Sequence, residues 1–147
     1  MAILLLIVHA AITWMMTGAI WYIQLAHYPS YRHLQEKGFI HIQAELVWRT
    51  AVVVIPLMSF ELLTGGALLF VHPPGLSTGW LLTGLALIVM TWISTLAIQT
   101  PLHARLLSSY DLAAIEKLNQ TNWLRVGIWS VRAVLVSWLL WLAFAQR

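Results

Sequence analysis

Four side chains of the types that bind transition metals are expected at similar depth near one membrane face. They are His27, His41, Glu45 and His103. His41 and Glu45 are spaced so that both point toward one centre when they lie on a helix. Imidazole combined with carboxylate suits zinc or non-haem iron, and an open coordination position would allow redox chemistry. His33 takes the place of His41 if the connection that contains it folds back. The sequence therefore predicts a metal site formed by three helix ends.

The same histidines allow two other interpretations. His27 and His103 are placed to serve as the axial ligands of a haem held between two helices. Alternatively, each histidine lies at the membrane interface and hydrogen-bonds lipid headgroups or backbone. The spacing does not separate haem from a single metal ion, so the predicted cofactor is iron, zinc or haem.

Two arginines accompany this cluster. Arg49 and Arg125 are each expected about one helical turn inside the membrane boundary. A guanidinium presents a fixed fork of donors, which suits an anionic or carbonyl group of a substrate. Pairing with Glu45 or with lipid phosphates is the alternative. We predict Glu45, Arg49 and Arg125 as catalytic residues. The residues predicted to contact a cofactor are Gln24, Gln99, Asn122 and Trp129.

Composition places these residues in a membrane protein. Of the 147 residues, 61% are apolar and only 9% are charged, whereas a soluble domain has about 25% charged residues. Four segments reach the ~20 apolar residues that a spanning helix needs, and they are 3–25, 46–71, 79–100 and 123–145. The fold class is therefore all-α, an integral membrane four-helix bundle in one domain.

Other bulk features narrow the classes of function. The chain has no cysteine, which excludes disulfides and thiol chemistry. The net charge of +3 gives no nucleic-acid signal, because the basic residues lie near the ends of the predicted spans. The first segment has no positively charged start and no clear cleavage site, so we expect a retained span.

Each predicted helix has one polar stripe when its residues are placed at 100° per residue. Polar groups exposed to lipid lack partners, so all four stripes are expected to face the interior. The stripes are His9, Thr13, Thr17, Gln24 and His27 on the first helix; His41, Glu45, Arg49 and Pro56 on the second; Thr91, Thr95, Gln99 and His103 on the third; and Asn122, Arg125, Trp129 and Arg132 on the fourth.

Glu61 lies off the stripe of its helix but reaches the depth of His9 and Arg132. A charge inside hydrocarbon requires a partner, so we predict an ion pair between Glu61 and Arg132. A proton relay or a contact with substrate is the alternative role.

A weak internal repeat relates the two halves of the chain. Gln24 and Trp48 have the same spacing as Gln99 and Trp123, and a proline and a histidine follow each glutamine. This pattern predicts two helical hairpins related by a pseudo-twofold axis along the membrane normal.

The last predicted helix begins with "NWLR", Asn122–Arg125. In this motif, in its size and in its four spans, the chain resembles small bacterial four-span membrane proteins near the anthrone-oxygenase-like families. The resemblance favours oxidation of a hydrophobic aromatic or polyene, and it carries over no catalytic residue. Separately, we predict that the protein is located in a bacterial inner membrane.

The leading functional prediction is a metal- or haem-assisted oxidoreductase that acts on a lipid-soluble substrate at a polar cavity near the cytoplasmic face. Two other classes stay open. One is a non-catalytic subunit that binds a pigment, quinone or lipid in a larger complex or homo-oligomer, and the other is a small transporter.

Basic residues predict the orientation in the membrane. The connections after the first and third spans, with the span ends beside them, carry Arg32, Lys37, Arg49, Arg105, Lys117 and Arg125, whereas the opposite side carries only Arg147. By the positive-inside rule both termini face out.

Single cysteines introduced at Ala2 and Gln35 should therefore react with an impermeant thiol reagent from outside and from inside, respectively. If only the cysteine at position 35 reacted from outside, the orientation would be the opposite of the one predicted.

Overall fold

Four long helices make up the computed structural model, which describes residues 1–145. They are α1 (Ala2–His33), α2 (Phe39–Val71), α3 (Thr78–Leu106) and α4 (Leu112–Ala145). Each is long and apolar enough to cross a membrane, and residues 1–145 contain no strand. The predicted all-α four-helix bundle is confirmed, and the helices indicate an integral membrane protein. Arg147, which entered the prediction of orientation, lies outside the described residues.

The helices extend beyond the apolar segments that predicted them. α2 begins at Phe39 instead of residue 46, and α4 begins at Leu112 instead of residue 123. Most of the polar connection before the last predicted span is therefore the first part of α4. The length of an apolar segment predicts only the part of a helix that lies in hydrocarbon. The helix itself continues into polar residues beyond that segment.

The helices form a ring in chain order, because α1 and α3 each pack against both α2 and α4. Residues 34–38 and 107–111 connect helices at one end of the bundle, which we call the loop end. Residues 72–77 connect α2 to α3 at the opposite end, where both termini also lie, and we call this the terminal end. Gly38 has φ +91°, a left-handed conformation that lets the chain turn directly into α2.

Asp111 begins α4 at the loop end. Its carboxylate accepts a hydrogen bond from Ala114 N–H at 3.0 Å and pairs with Arg105 at 2.5 Å. The bond from Ala114 N–H, followed by the charge of Arg105, holds the pKa of Asp111 below its usual value. Asp111 therefore caps the N-terminus of α4 with its carboxylate.

Both α1 and α3 contain a π turn, Ile23–His27 in α1 and Thr95–Gln99 in α3. In each, the residue just before a proline donates its N–H to the carbonyl five residues earlier. The prolines are Pro29 and Pro101. A proline inside a helix has no N–H, and its ring crowds the carbonyl four residues before it. The wider π turn accommodates that carbonyl without breaking the helix.

The two π turns give the predicted repeat a structural counterpart. His27 and Gln99 are the last residues of their turns, and each lies two residues before the proline. The structure therefore places His27 in the position equivalent to Gln99, whereas the sequence comparison had matched Gln24 with Gln99.

A buried ion pair crosses the centre of the bundle between α2 and α4. The Arg132 guanidinium lies 2.5 Å from Oε1 of Glu61, and both side chains are nearly inaccessible to solvent. Trp129 Nε1 donates a hydrogen bond to the other carboxylate oxygen at 3.1 Å. The predicted contact between Glu61 and Arg132 is confirmed.

His9 completes this cluster as a neutral side chain. The Thr64 hydroxyl donates to the carbonyl of Phe60 at 2.7 Å, so its oxygen accepts from His9 Nδ1–H at 2.8 Å. His9 Nε2 is then the acceptor for Arg132 at 3.4 Å. The arginine therefore has a carboxylate on one side and an imidazole nitrogen on the other, and a charge in hydrocarbon requires such partners.

We predict that Glu61 and Arg132 stabilise the fold only together. Glu61→Leu and Arg132→Leu should each reduce the free energy of unfolding by about 3–5 kcal/mol, because each leaves an uncompensated buried charge. The double variant should lose much less than the sum of the two. A double-mutant cycle on the protein in detergent measures this coupling.

Glu45 and Arg49 supply the matched control. They lie 2.6 Å apart on one helix, and their side chains are 51% and 73% exposed. Their coupling should stay below about 1 kcal/mol. A Glu61–Arg132 coupling no larger than this control would show that the buried pair does not hold the bundle together.

Candidate functional site

A cavity of about 300 Å³ lies between α2 and α3 in the half of the bundle near the loop end. Its apolar wall includes Val47, Ala51 and Val54 from α2 and Ala104 from α3. Ile55 also lines it and is 55% exposed, so the cavity opens sideways toward the surface that lipid would cover. Its volume is at the lower end of the range for small-molecule pockets.

α2 leaves this space because its first half packs loosely. Gln43 and Val54 are buried, but no residue between them is. A second cavity of about 280 Å³ lies on the other side of α2, against α1, and His27 lines both cavities. By contrast, a gap beside His9 and Arg132 in the other half has only about 20 Å³, room for about one water molecule. The bundle is therefore tightly closed in one half and open in the other.

Arg125 is the charged group of the cavity wall. Its side chain is almost fully buried, with 4% of the residue exposed. It donates to Asn122 Oδ1 at 3.4 Å, and its guanidinium carbon lies 5.3 Å from the centre of the Trp129 ring. The Tyr28 hydroxyl lies beside it. No carboxylate among residues 1–145 forms an ion pair with Arg125, which distinguishes it from Arg132.

An amide cluster behind the cavity fixes the position of Arg125. Gln24 Nε2 donates to Asn119 Oδ1 at 2.8 Å, and Asn122 Nδ2 donates to Gln24 Oε1 at 2.9 Å. Asn122 Oδ1 then faces Arg125. Gln24 and Asn122, which the sequence predicted as cofactor contacts, do not line the cavity. Their hydrogen bonds join α1 to α4 and orient the arginine.

His103 lines the cavity next to Arg125. Gln43 Nε2 lies 3.2 Å from Nδ1 of His103, and the Tyr28 hydroxyl lies 3.2 Å from Nε2. Because the amide NH₂ can only donate, Nδ1 is an acceptor, and in neutral His103 the proton is on Nε2. The wall therefore combines an arginine, a histidine and a tyrosine. Arg125 and the Tyr28 hydroxyl can donate hydrogen bonds to a polar group in the cavity, whereas both ring nitrogens of His103 already have partners.

The structure does not bring the four predicted metal ligands together. His41 is exposed, and Glu45 pairs with Arg49 on the outside of the bundle. His27 and His103 each have Nε2 hydrogen-bonded to a tyrosine. Residues 1–145 contain no group of three or more His, Asp or Glu side chains that could hold a metal ion. The geometry therefore does not support the predicted metal site.

The reason is the rotation of α2. The predicted inward stripe of this helix, including His41, Glu45 and Arg49, faces outward, whereas Phe39 and Gln43 face the interior at the loop end. Charged side chains near a membrane boundary can reach water or headgroups, so facing outward carries little penalty there. Of the predicted catalytic residues, Glu45 and Arg49 are therefore on the surface.

The stripes of the other three helices do face inward over most of their length. Gln99 and Arg125 line the cavity, and Trp129 is fully buried below Arg125. Sequence reasoning missed Tyr28 and Gln43, which hold His103. Proline within a helix was the available signal for Tyr28, because a π turn ends two residues before Pro29 and changes which residues face inward.

No protein-family model, curated protein or solved structure matches this chain. The resemblance based on Asn122–Arg125 therefore stays a prediction.

Proposed function

We propose that this protein binds a lipid-soluble amphipathic molecule within the membrane. The apolar body of the molecule occupies the cavity between α2 and α3, and its polar head contacts Arg125. The observation that carries this proposal is a lipid-side cavity of about 300 Å³ whose apolar walls surround a buried arginine. A pocket that is mostly apolar with a few convergent polar groups is the usual form of a small-molecule site.

The packing of α2 supports entry from the lipid. The side of the cavity formed by α2 includes small and β-branched side chains such as Val47, Thr50 and Ala51. Cavities on both sides of this half of α2 leave it few packed neighbours. A segment with few buried contacts opens at a low free-energy cost. Pro56, just beyond the loose segment, removes one hydrogen bond from the helix and makes bending there easier.

The basic residues support the cytoplasmic side for the loop end. Arg32, Lys37, Arg105 and Lys117 all lie at or near that end, which fits the positive-inside rule. In this orientation the head of the bound molecule is in the cytoplasmic half of the membrane, and the termini are outside.

Binding without catalysis is the function that the geometry supports best. The sequence predicts metal- or haem-assisted oxidation, but residues 1–145 contain no group of three or more His, Asp or Glu side chains that could hold a metal ion. A binding role agrees with the second class derived from the sequence, a subunit that holds a pigment, quinone or lipid.

Photo-crosslinking tests the proposal. Hexadecane probes that carry a mid-chain diazirine, one with a carboxylate head and one with an alcohol head, are incorporated with the protein into lipid nanodiscs. Cross-linked residues are then mapped by mass spectrometry. We expect them to concentrate on the cavity walls from α2 and α3, at residues 47–55 and 95–107, because a bound molecule stays there longer than a bulk lipid.

A matched pair of variants separates the cavity from the lipid-facing surface. Ala51→Phe places a ring in the cavity and should remove most of these cross-links. Val52→Phe adds a similar ring at a neighbouring residue that is 53% exposed and does not line the cavity, so it should leave them unchanged. Cross-links spread evenly around the bundle, or unaffected by Ala51→Phe, would refute the proposed site.

A further inference from the structure

We infer that the molecule bound at this site has an anionic head, a carboxylate or a phosphate, and that Arg125 is its counter-ion. This inference rests on the proposed function and specifies the chemical class of the ligand. It follows from the contrast between the two buried arginines of α4 and from the hydrogen-bonding groups that face the cavity.

The two arginines differ in one respect. Both are nearly inaccessible, at 4% exposed for Arg125 and 2% for Arg132. Arg132 has the carboxylate of Glu61 at 2.5 Å, whereas none of the carboxylates in residues 1–145 pairs with Arg125. Its neighbours are the amide of Asn122 and two aromatic side chains, which solvate the charge without neutralising it. A cation held in hydrocarbon without a counter-ion is unfavourable, so the bound molecule is expected to supply the anion.

Two residues that line the cavity each have a buried donor without a partner among residues 1–145. Arg125 Nε and Gln99 Nε2 are buried, and neither has an acceptor within the described chain. Both residues line the cavity, together with His103. A head group that has several acceptor oxygens and no donor of its own could accept hydrogen bonds from both of these donors. Carboxylate and phosphate have this property, and each can accept two parallel bonds from one guanidinium.

The shape of the cavity limits the rest of the ligand. A volume of about 300 Å³ that opens sideways accommodates the head and the first part of one apolar chain, while the remainder of the chain extends into the bilayer. The ligand class is therefore a single-chain amphiphile such as a long-chain acid or an alkyl or isoprenyl phosphate. A neutral carbonyl compound would accept the hydrogen bonds but would leave the charge of Arg125 uncompensated.

Equilibrium binding of three dodecyl compounds tests this assignment. Radiolabelled dodecanoate is bound to the protein in nanodiscs of zwitterionic lipid at about pH 8, where its head is ionised. Unlabelled dodecanoate, dodecyl phosphate and dodecanol then compete for the site, and empty nanodiscs give the background. We expect at least one of the two anions to bind at least about tenfold more tightly than the alcohol, on the scale of one charge-assisted hydrogen bond in a desolvated site. The stronger of the two anions identifies the head.

Two substitutions of Arg125 and one control complete the experiment. Arg125→Gln should abolish the preference for anions, and Arg125→Lys, which keeps the charge and also guards against misfolding of the first variant, should retain part of it. Lys117→Gln makes the same change of charge at an exposed residue of the same helix and should behave as wild type.

The outcomes separate the two proposals. Dodecanol could bind as tightly as both anions, with its binding lost in the Ala51→Phe variant. The cavity would then bind amphiphiles, but the inference of an anionic head group would be wrong. If none of the three compounds binds above the empty-nanodisc background, the proposed function fails as well. An anion preference that survives in a folded Arg125→Gln protein would remove Arg125 from the site and overturn the inference.

Discussion

The structure depends on the rule that a charge buried in a membrane must have a partner. α4 carries two such charges, Arg125 and Arg132, two turns apart on the same face. Glu61 on α2 neutralises the second, and this ion pair crosses the centre of the bundle. Trp129 lies between them, donating its N–H to Glu61 and presenting its ring to Arg125. One helix face therefore connects an arginine that has a carboxylate partner to one that has none among residues 1–145.

The two halves of the bundle differ in how densely they are packed. In the terminal half the ion pair, with His9 and Thr64, is enclosed by packed helices, and the gap beside it has only about 20 Å³. In the loop half, the π turns of α1 and α3 and the loose first half of α2 surround two cavities. π turns commonly occur at functional sites. Local stability should follow the same division, because the elements that open for a ligand are the least densely packed.

Much of the fold could be predicted from the sequence, and the site only partly. Apolar length gave the four helices, and the requirement for charge pairing gave Glu61 with Arg132. The inward stripes of α1, α3 and α4 also followed, since polar groups at mid-membrane have no other direction to face. The directions of the side chains at the loop end could not be predicted in this way. Near the boundary, His41 and Glu45 can reach water from an outward position. Each π turn also adds to the number of residues in a turn, so a constant 100° per residue misplaces what comes after it.

Native mass spectrometry can determine whether a bound anion neutralises Arg125. The protein is released into the gas phase from nanodiscs made with its own membrane lipids, so that no probe is chosen in advance. We expect one adduct per chain, identified after dissociation as a single-chain molecule with a carboxylate or phosphate head, and its loss in Arg125→Gln but not in Lys117→Gln. A wild-type protein that carries no such adduct, or carries it equally in Arg125→Gln, would contradict the account.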